Sequence, residues 1–377
     1  MDSETRFGLI TRNLEEVLTQ EDLRGFIETG ERLKHYQGFE ISGKIHLGTG
    51  IVSMSKVADF QKAGADCSIF LADWHTWIND KLGGDLEAIK EIAVNYFKEG
   101  LKASLDLCGG DSEKVRFVLG SDLYHNNDEY WQSFIDISKH TSLARIQRST
   151  TIMGRKEGES IDFAKLVYPP MQVADIFIQG LNLAHAGIDQ RKAHVIARDV
   201  ALKLKVHPLK DSGGKIVKPV AVHHPLILGL QKPPVWPVPE DRLQELWSAM
   251  KMSKSVPNSA VFVHDSENEI ADKLSKAFCP ERETKFNPVL DWAKKLVFSH
   301  EKASLVVERQ EKFGGTTEYF SYADLENDFA GGKLHPMDLK NAMGIAVTRI
   351  LGPARSHFEK PKYRKMLEEL EKLAVTR

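Results

Sequence analysis

Cysteine is scarce in this sequence: of 377 residues only Cys67, Cys108 and Cys279 carry a thiol. They are odd in number, far apart and without metal-ligand spacing, which excludes a disulfide framework or a zinc ribbon and suits free thiols in a reducing cytosol. Long apolar runs are missing too. None approaches the roughly 20 residues a membrane helix needs, and the first residues lack the layout of a secretory signal. Nor is there an excess of either charge, since 51 Lys and Arg stand against 53 Asp and Glu. A chain so balanced does not announce nucleic-acid binding as a whole, so any such surface has to be a local patch. What remains is a soluble, cytoplasmic protein with no membrane partner, long enough for two domains.

The stretch Tyr36–Gly50, Tyr-Gln-Gly-Phe-Glu-Ile-Ser-Gly-Lys-Ile-His-Leu-Gly-Thr-Gly, reads as a strand, a glycine turn and a helix start. A helix beginning near Gly48 would aim unpaired N–H groups and the positive end of its dipole at a phosphate, with His46 adding a side-chain donor. Far downstream, Lys251-Met-Ser-Lys-Ser255 places two ammonium groups in five residues, and Pro257 marks the segment as an exposed loop. Mobile ammonium charges suit a departing pyrophosphate.

Between these stretches the pattern alternates. Ser3 and Thr19 are candidate caps of an N-terminal helical lead-in. Strands are expected over Tyr36–Ile41, from Cys67 to Asp73 and over Val115–Gly120, with helices from His46 to Gly64 and from Asp85 to about Cys108. That rhythm means a parallel sheet with right-handed crossovers. From Asn127 to Gly154 two helical patterns interrupt it, one carrying Tyr130, Trp131, Phe134 and Ile135, the other Leu143, Ile146, Ile152 and Met153. Their apolar stripes suit either an interface or the protein's own core. Tyr168-Pro-Pro-Met-Gln-Val-Ala-Asp175 is read as a helix opening at its prolines that presents Tyr168, Gln172 and Asp175 on one face. An aromatic and an amide beside a carboxylate suit a small-ligand pocket. Asp189 is the expected cap of a following helix, with Gln190 at its first position. His223-His224 lack clustered partners, and a metal site is not expected there or elsewhere. Five prolines, counting Pro225, leave Gln231–Glu240 irregular. Beyond Val263 the pattern turns helical, without strand alternation.

Taken together, His-Leu-Gly-Thr, Lys-Met-Ser-Lys-Ser, Tyr36 before Gly-Phe-Glu, Leu-Ala-Asp-Trp-His (71–75), Tyr168-Pro-Pro-Met-Gln-Val-Ala-Asp175, Gln190-Arg-Lys, Lys-Phe-Gly-Gly (312–315) and His335-Pro-Met-Asp-Leu-Lys resemble the class I aminoacyl-tRNA synthetases, and among them the tyrosyl-tRNA synthetases of the archaeal and eukaryotic type. The resemblance runs from about Leu33 to Phe358. It implies an α/β fold, with a helical lead-in (1–32), a Rossmann-like parallel-sheet catalytic domain (33–264) carrying a helical dimerisation insertion at about 125–160, and an all-helical C-terminal anticodon-binding domain (265–377).

The implied activity is tyrosine–tRNA ligation: L-tyrosine is activated by ATP, accompanied by Mg²⁺, and passed from tyrosyl-adenylate to tRNA(Tyr) by a homodimer. His46, Gly48 and Thr49 would handle ATP together with Lys251 and Lys254, although many class I enzymes have a second histidine where Thr49 stands. Tyr168, Gln172 and Gln190 would hold the amino acid's ammonium group, with Asp175 and Tyr36 at its phenol and His75 either orienting Asp175 or simply packing. Such a pocket rejects phenylalanine because a buried carboxylate would be left unpaired, a discrimination for which tyrosyl-tRNA synthetases are themselves the standard example. Phe313, His335 and Asp338 would meet the anticodon, although helix capping alone would explain His335. A tryptophanyl-tRNA synthetase shares the fold and both nucleotide motifs, and a non-catalytic RNA-binding paralogue is the alternative from another class.

Overall fold

A computed structural model describes residues 1–155, 158–254 and 256–375. Ser255, the last residue of the lysine loop, lies outside the described residues, as do Lys156 and Glu157 of the insertion and the last two residues of the C-terminal region. Contacts divide the chain differently from the boundaries expected at 32 and 264. One compact unit comprises Met1–Gly43, Ser53–Pro225 and Lys365–Arg377, and the other Lys44–Val52 and Leu226–Arg364.

The first unit is built on a six-stranded sheet of β1 (Glu16–Leu18), β2 (Lys34–Phe39), β3 (Asp66–Leu71), β4 (Arg116–Leu119), β5 (Leu183–Gly187) and β6 (Val220–His224), in the order β1-β6-β5-β2-β3-β4. All neighbours are parallel except β1, which joins the edge antiparallel to β6. Helices cross between the parallel strands, as the alternation predicted. The edge strand β1 was not anticipated: three half-buried residues give no alternation to read. β5 and β6 are buried at every position, as expected of strands covered on both faces.

Several local expectations are corrected. Asp2, not Ser3, caps the first helix, accepting from Thr5 N–H at 2.8 Å, whereas Thr19 caps the second as predicted. The helix carrying Asp175 does not open at its prolines. It spans Phe163–Ile178 with Pro169 and Pro170 inside, because Asp162 caps it from further back and Leu166 and Val167 anchor the extra turn on the core. Asp189 does not cap the helix Arg191–Val200: residues 188–190 form a tight 3₁₀ turn and Gln190 takes the cap position without a side-chain bond. Of the apolar residues in the insertion helices Asp128–Lys139 and Leu143–Ser149 and the turn after them, Tyr130, Ile146, Ile152 and Met153 are buried within the unit, while Ile135 and Leu143 are exposed.

In the second unit, helices Glu267–Ser275, Pro288–Trp292, Tyr322–Ala330 and Pro336–Glu359 follow the expected order. Its region beyond residue 264 is not wholly helical. A short antiparallel pair, β7 (Leu305–Val307) and β8 (Thr317–Tyr319), interrupts it, too short to leave a periodic signal. Trp292, fully buried, donates its indole N–H to Leu228 C=O at 2.8 Å, and the Asp291 carboxylate accepts from Leu228 N–H at 2.9 Å, so one turn of helix holds the segment leading to the lysine loop.

An unusual feature of the first unit is its buried histidines. His35 and His185 are linked at 3.2 Å, His185 and His224 at 2.8 Å, and His224 continues to the Ser53 hydroxyl at 3.2 Å. Burial lowers the pKa of His35 and His75 to about 3 and that of His224 to about 4, and it holds His185 and His194 well below the ordinary value. An unfolded histidine takes up a proton near pH 6.5, whereas these stay neutral until far lower, so the unfolded state binds more protons in between. The contribution is fully present above that unfolded pKa and is lost as pH falls. Urea unfolding should therefore show a midpoint that drops between about pH 7 and 5, the unfolding free energy falling by up to about 1.4 kcal/mol per pH unit for each histidine. A midpoint independent of pH over that interval would contradict the burial of these rings.

Candidate active site

In the first unit, the side chain of Asp175 is fully buried two turns along its helix from Tyr168. Its Oδ1 accepts two phenolic hydrogens, from Tyr124 at 3.1 Å and Tyr130 at 3.2 Å. Its Oδ2 has no hydrogen-bond partner among the described residues, and His75 Nε2 stands 3.8 Å away. Burial pushes the carboxyl well above its ordinary pKa, against the two phenols, which draw it down. Tyr36, on β2, sits close enough that the charge of Asp175 adds to burial in raising its phenol's pKa. Phe70 packs on Tyr36 with ring centres 5.9 Å apart.

Gly38, two residues along β2, is required by this arrangement. A Cβ there would lie 2.5 Å from the Tyr36 hydroxyl. His75, neutral because burial lowers its pKa to about 3, meets the Tyr168 ring edge-on at 4.4 Å and stands 3.4 Å from the Tyr124 hydroxyl. It therefore both packs and borders the carboxylate.

Gln172 and Gln190 are brought together. The Gln172 amide donates to Gln190 Oε1 at 3.3 Å, and Gln190 donates to Ile152 C=O at 2.9 Å. Gln172 Oε1 is buried and unpartnered among the described residues. The pocket thus presents two buried oxygens without donors, one on an acid among phenols and one on an amide beside Tyr168. Each is costly to leave unmet.

The two motifs expected to handle the nucleotide lie in the second unit. His46 pairs by a backbone bridge with Phe262, and its Nδ1 accepts from the N–H groups of Gly48 (3.1 Å) and Thr49 (3.3 Å). Gly50 N–H bonds His46 C=O at 2.7 Å. The N–H groups expected to be unpaired at this turn are thus capped by the histidine itself. With Nδ1 an acceptor, the ring proton resides on Nε2, which stands 3.5 Å from the Thr49 hydroxyl. Loss of water, then the charges of Lys254 and Lys251, lower the His46 pKa to about 3, so the ring is a neutral donor. A Cβ at Gly48 would meet the His46 ring and Ile227 at 3.0 Å each.

The lysine loop is less exposed than expected. Met252 is buried, its N–H bonded to Ile227 C=O at 2.8 Å, and the Ser259 hydroxyl donates to Val256 C=O at 2.7 Å. Lys251, Ser253 and Lys254 are half-buried.

Further along, Phe313 is 62% exposed on the turn Glu311–Phe313, before Gly314 and Gly315 with positive φ. His335 caps the helix Pro336–Glu359, its Nδ1 accepting from Met337 N–H at 3.2 Å, and Asp338 lies in the first turn. Arg309 ties the two segments, donating to Gly315 C=O (3.1 Å), Lys333 C=O (2.8 Å) and the Thr317 hydroxyl (2.8 Å).

The profile of the family described as tRNA synthetases class I (W and Y) matches residues 28–352. A tyrosine–tRNA ligase of Pyrococcus abyssi is 57% identical over 379 aligned residues, covering 100% of each chain, and one of Pyrobaculum arsenaticum is 50% identical with the same coverage. The crystal structure of tyrosyl-tRNA synthetase complexed with L-tyrosine from Pyrococcus horikoshii matches with a TM-score of 0.95 and 56% identity, covering 99% of this chain and 100% of that one. The chain belongs to the tyrosyl-tRNA synthetases. Tyrosine–tRNA ligation is its reaction. A tryptophanyl-tRNA synthetase from Aeropyrum pernix has a TM-score of 0.64 at 18% identity, a likeness of fold alone.

For this synthetase, sequence reasoning missed Tyr124, Tyr130 and Arg309. Tyr130 counted only as part of an apolar stripe, and nothing in its spacing linked it to Asp175, 45 residues on. Gly38→Ala should displace the Tyr36 phenol and raise KM for the amino acid by roughly tenfold, a loss near 1.4 kcal/mol. KM for ATP should stay put. Steady-state pyrophosphate exchange checks both, and an unchanged amino-acid KM would mean the phenol tolerates displacement.

Proposed function

We propose that this synthetase seats L-tyrosine in the first-unit pocket with its phenol against Asp175 and Tyr36 and its ammonium group against Tyr168, Gln172 and Gln190. One observation carries the reading: the unpartnered, fully buried Oδ2 of Asp175 in a cage of aromatic rings. A phenol meets that oxygen, and a phenyl ring leaves it unpaired. The relative from Pyrococcus horikoshii, solved with L-tyrosine, supports the same occupant.

Activation asks little covalent work of the protein. The tyrosine carboxylate attacks the α-phosphorus of ATP, pyrophosphate leaves, and the acyl group then moves to the terminal adenosine of tRNA(Tyr). His46 is a neutral N–H donor to phosphate oxygens, joined by Thr49, and Gly48 leaves room for the ring. Lys251 and Lys254 offset the negative charge that builds on pyrophosphate. Mg²⁺ enters on the phosphates of ATP as part of the nucleotide substrate, since this donor set is neutral or cationic and suits anions.

Phe313, His335 and Asp338, within the anticodon-binding region 265–377, are assigned to the anticodon: an exposed ring for stacking and a carboxylate for a guanine edge. Exposed Ile135 and Leu143 support a homodimer through the insertion helices, and a cytoplasmic setting accords with the reduced cysteines.

Pyrophosphate exchange should depend on tyrosine, and exchange driven by tryptophan would reverse the amino-acid assignment. Asp175→Asn should lower the tyrosine-to-phenylalanine ratio of kcat/KM more than it affects ATP binding, and an unchanged ratio would remove Asp175 from the phenol. Asp338→Ala should reduce tRNA charging by roughly tenfold or more, from about 1–3 kcal/mol per base contact, while sparing adenylate formation. Equal losses in both assays would point to folding rather than to tRNA reading.

A further inference from the structure

The acid at the base of the pocket is held by more than its own helix. Tyr124, at the end of the helix Gly120–Tyr124, and Tyr130, in the helix Asp128–Lys139, approach from separate elements, and both hydroxyls converge on Oδ1 of Asp175. Tyr124 and Tyr130 rings lie 4.5 Å apart, and both residues are almost wholly buried. Tyr130 also stands 3.4 Å from Met171 C=O. Nothing comparable reaches Oδ2 among the described residues.

We infer that Tyr124 and Tyr130 are specificity-positioning residues, whose two phenols pin one oxygen of Asp175 so that the other alone remains to accept the hydrogen of an incoming phenol. The inference rests on the assignment of this pocket to L-tyrosine. It makes the substrate the third donor to a single carboxylate. A carboxylate that accepts three hydrogen bonds is stabilised in its ionised form, and one that accepts two in a dry pocket is much less so.

The surroundings of Asp175 agree with this division. Tyr124 and Tyr130 face Oδ1, and His75, neutral, borders Oδ2. Tyr36 on β2 and Tyr168 on the same helix bring phenols, and Asp73, at the head of the helix Asp73–Ile78, adds a second buried acid whose charge disfavours ionisation of Asp175. The hydrogen bonds from Tyr124 and Tyr130 are what oppose the effect of burial on this carboxyl. Tyrosine binding then drives the carboxyl toward its ionised form and releases a proton to solvent wherever the free enzyme holds one there. Phenylalanine, with no third donor, releases none.

The test compares Tyr124→Phe and Tyr130→Phe with the wild type by pyrophosphate exchange as a function of pH. Each variant should lower kcat/KM for tyrosine relative to phenylalanine by roughly tenfold, the worth of one hydrogen bond to a charged group, and should move the acid limb of the tyrosine profile to higher pH. A fall in both amino acids alike with no movement of the limb would reveal a packing role and overturn the proposal, as would an unchanged ratio. KM for ATP reports whether each variant is folded. Should neither fold, calorimetry of wild-type binding in buffers of different ionisation enthalpy decides. Proton release with tyrosine at the acid end and none with phenylalanine is expected, and equal release with both overturns the proposal. Asp175→Asn separates the two levels of argument. A ratio that drops in Asp175→Asn but holds in both phenylalanine variants sinks only the inference about Tyr124 and Tyr130, whereas a ratio that holds in Asp175→Asn removes the pocket assignment beneath it.

Discussion

A single carboxylate taken out of water governs the first unit. Leaving Asp175 buried is costly unless its lone pairs are met. The hydroxyls of Tyr124 and Tyr130 meet one oxygen, and to deliver them two helices must end and begin at the right places, with Asn127 capping the second. Gly38 must be glycine so that the Tyr36 hydroxyl has room beside it. His75 must be neutral, because an imidazolium 3.8 Å from Oδ2 would pair with the acid and compete with a substrate. The aromatic packing around Tyr36, Phe70, Tyr124 and Tyr130 is thus the wall of a site as well as a core.

The nucleotide side follows a different economy. His46 folds its own turn by accepting two backbone N–H groups, which leaves its Nε2 proton beside the Thr49 hydroxyl. Charge there is carried by lysines on a loop anchored at Met252, while the His46 ring, whose pKa their charges help to lower, stays neutral. Under the proposed assignment, a fixed neutral donor and tethered cations complement a substrate that carries several negative charges and parts with most of them during the reaction.

Much of this was legible in the sequence because glycine punctuation and short polar motifs are local. The strand–turn–helix around His46, the lysine loop and the face carrying Tyr168, Gln172 and Asp175 are each contained within a few turns of chain. What escaped depends on distance. Tyr124 and Tyr130 reach Asp175 only after β4 and two helices fold, and their sequence surroundings show an apolar stripe and a cap. β1 escaped because three residues on a sheet edge carry no period. The start of the helix Phe163–Ile178 was misplaced because proline disfavours a helix interior by a local rule that capping at Asp162 and packing of Leu166 and Val167 outweigh.

Arg309 bears on how the turn assigned to tRNA responds to salt. An arginine near a nucleic-acid surface is ordinarily counted as a phosphate contact, and each such contact releases condensed counterions and so steepens the loss of affinity as salt rises. Here the guanidinium is turned inward, with Nε, Nη1 and Nη2 bonded to Gly315, Lys333 and Thr317. Three of its N–H groups join the Phe313 turn to the His335 turn. Under the proposed anticodon role, its charge still acts on a nearby phosphate, but from a position set by the fold, beside Lys312, whose Nζ stands 4.8 Å from the centre of the Phe313 ring.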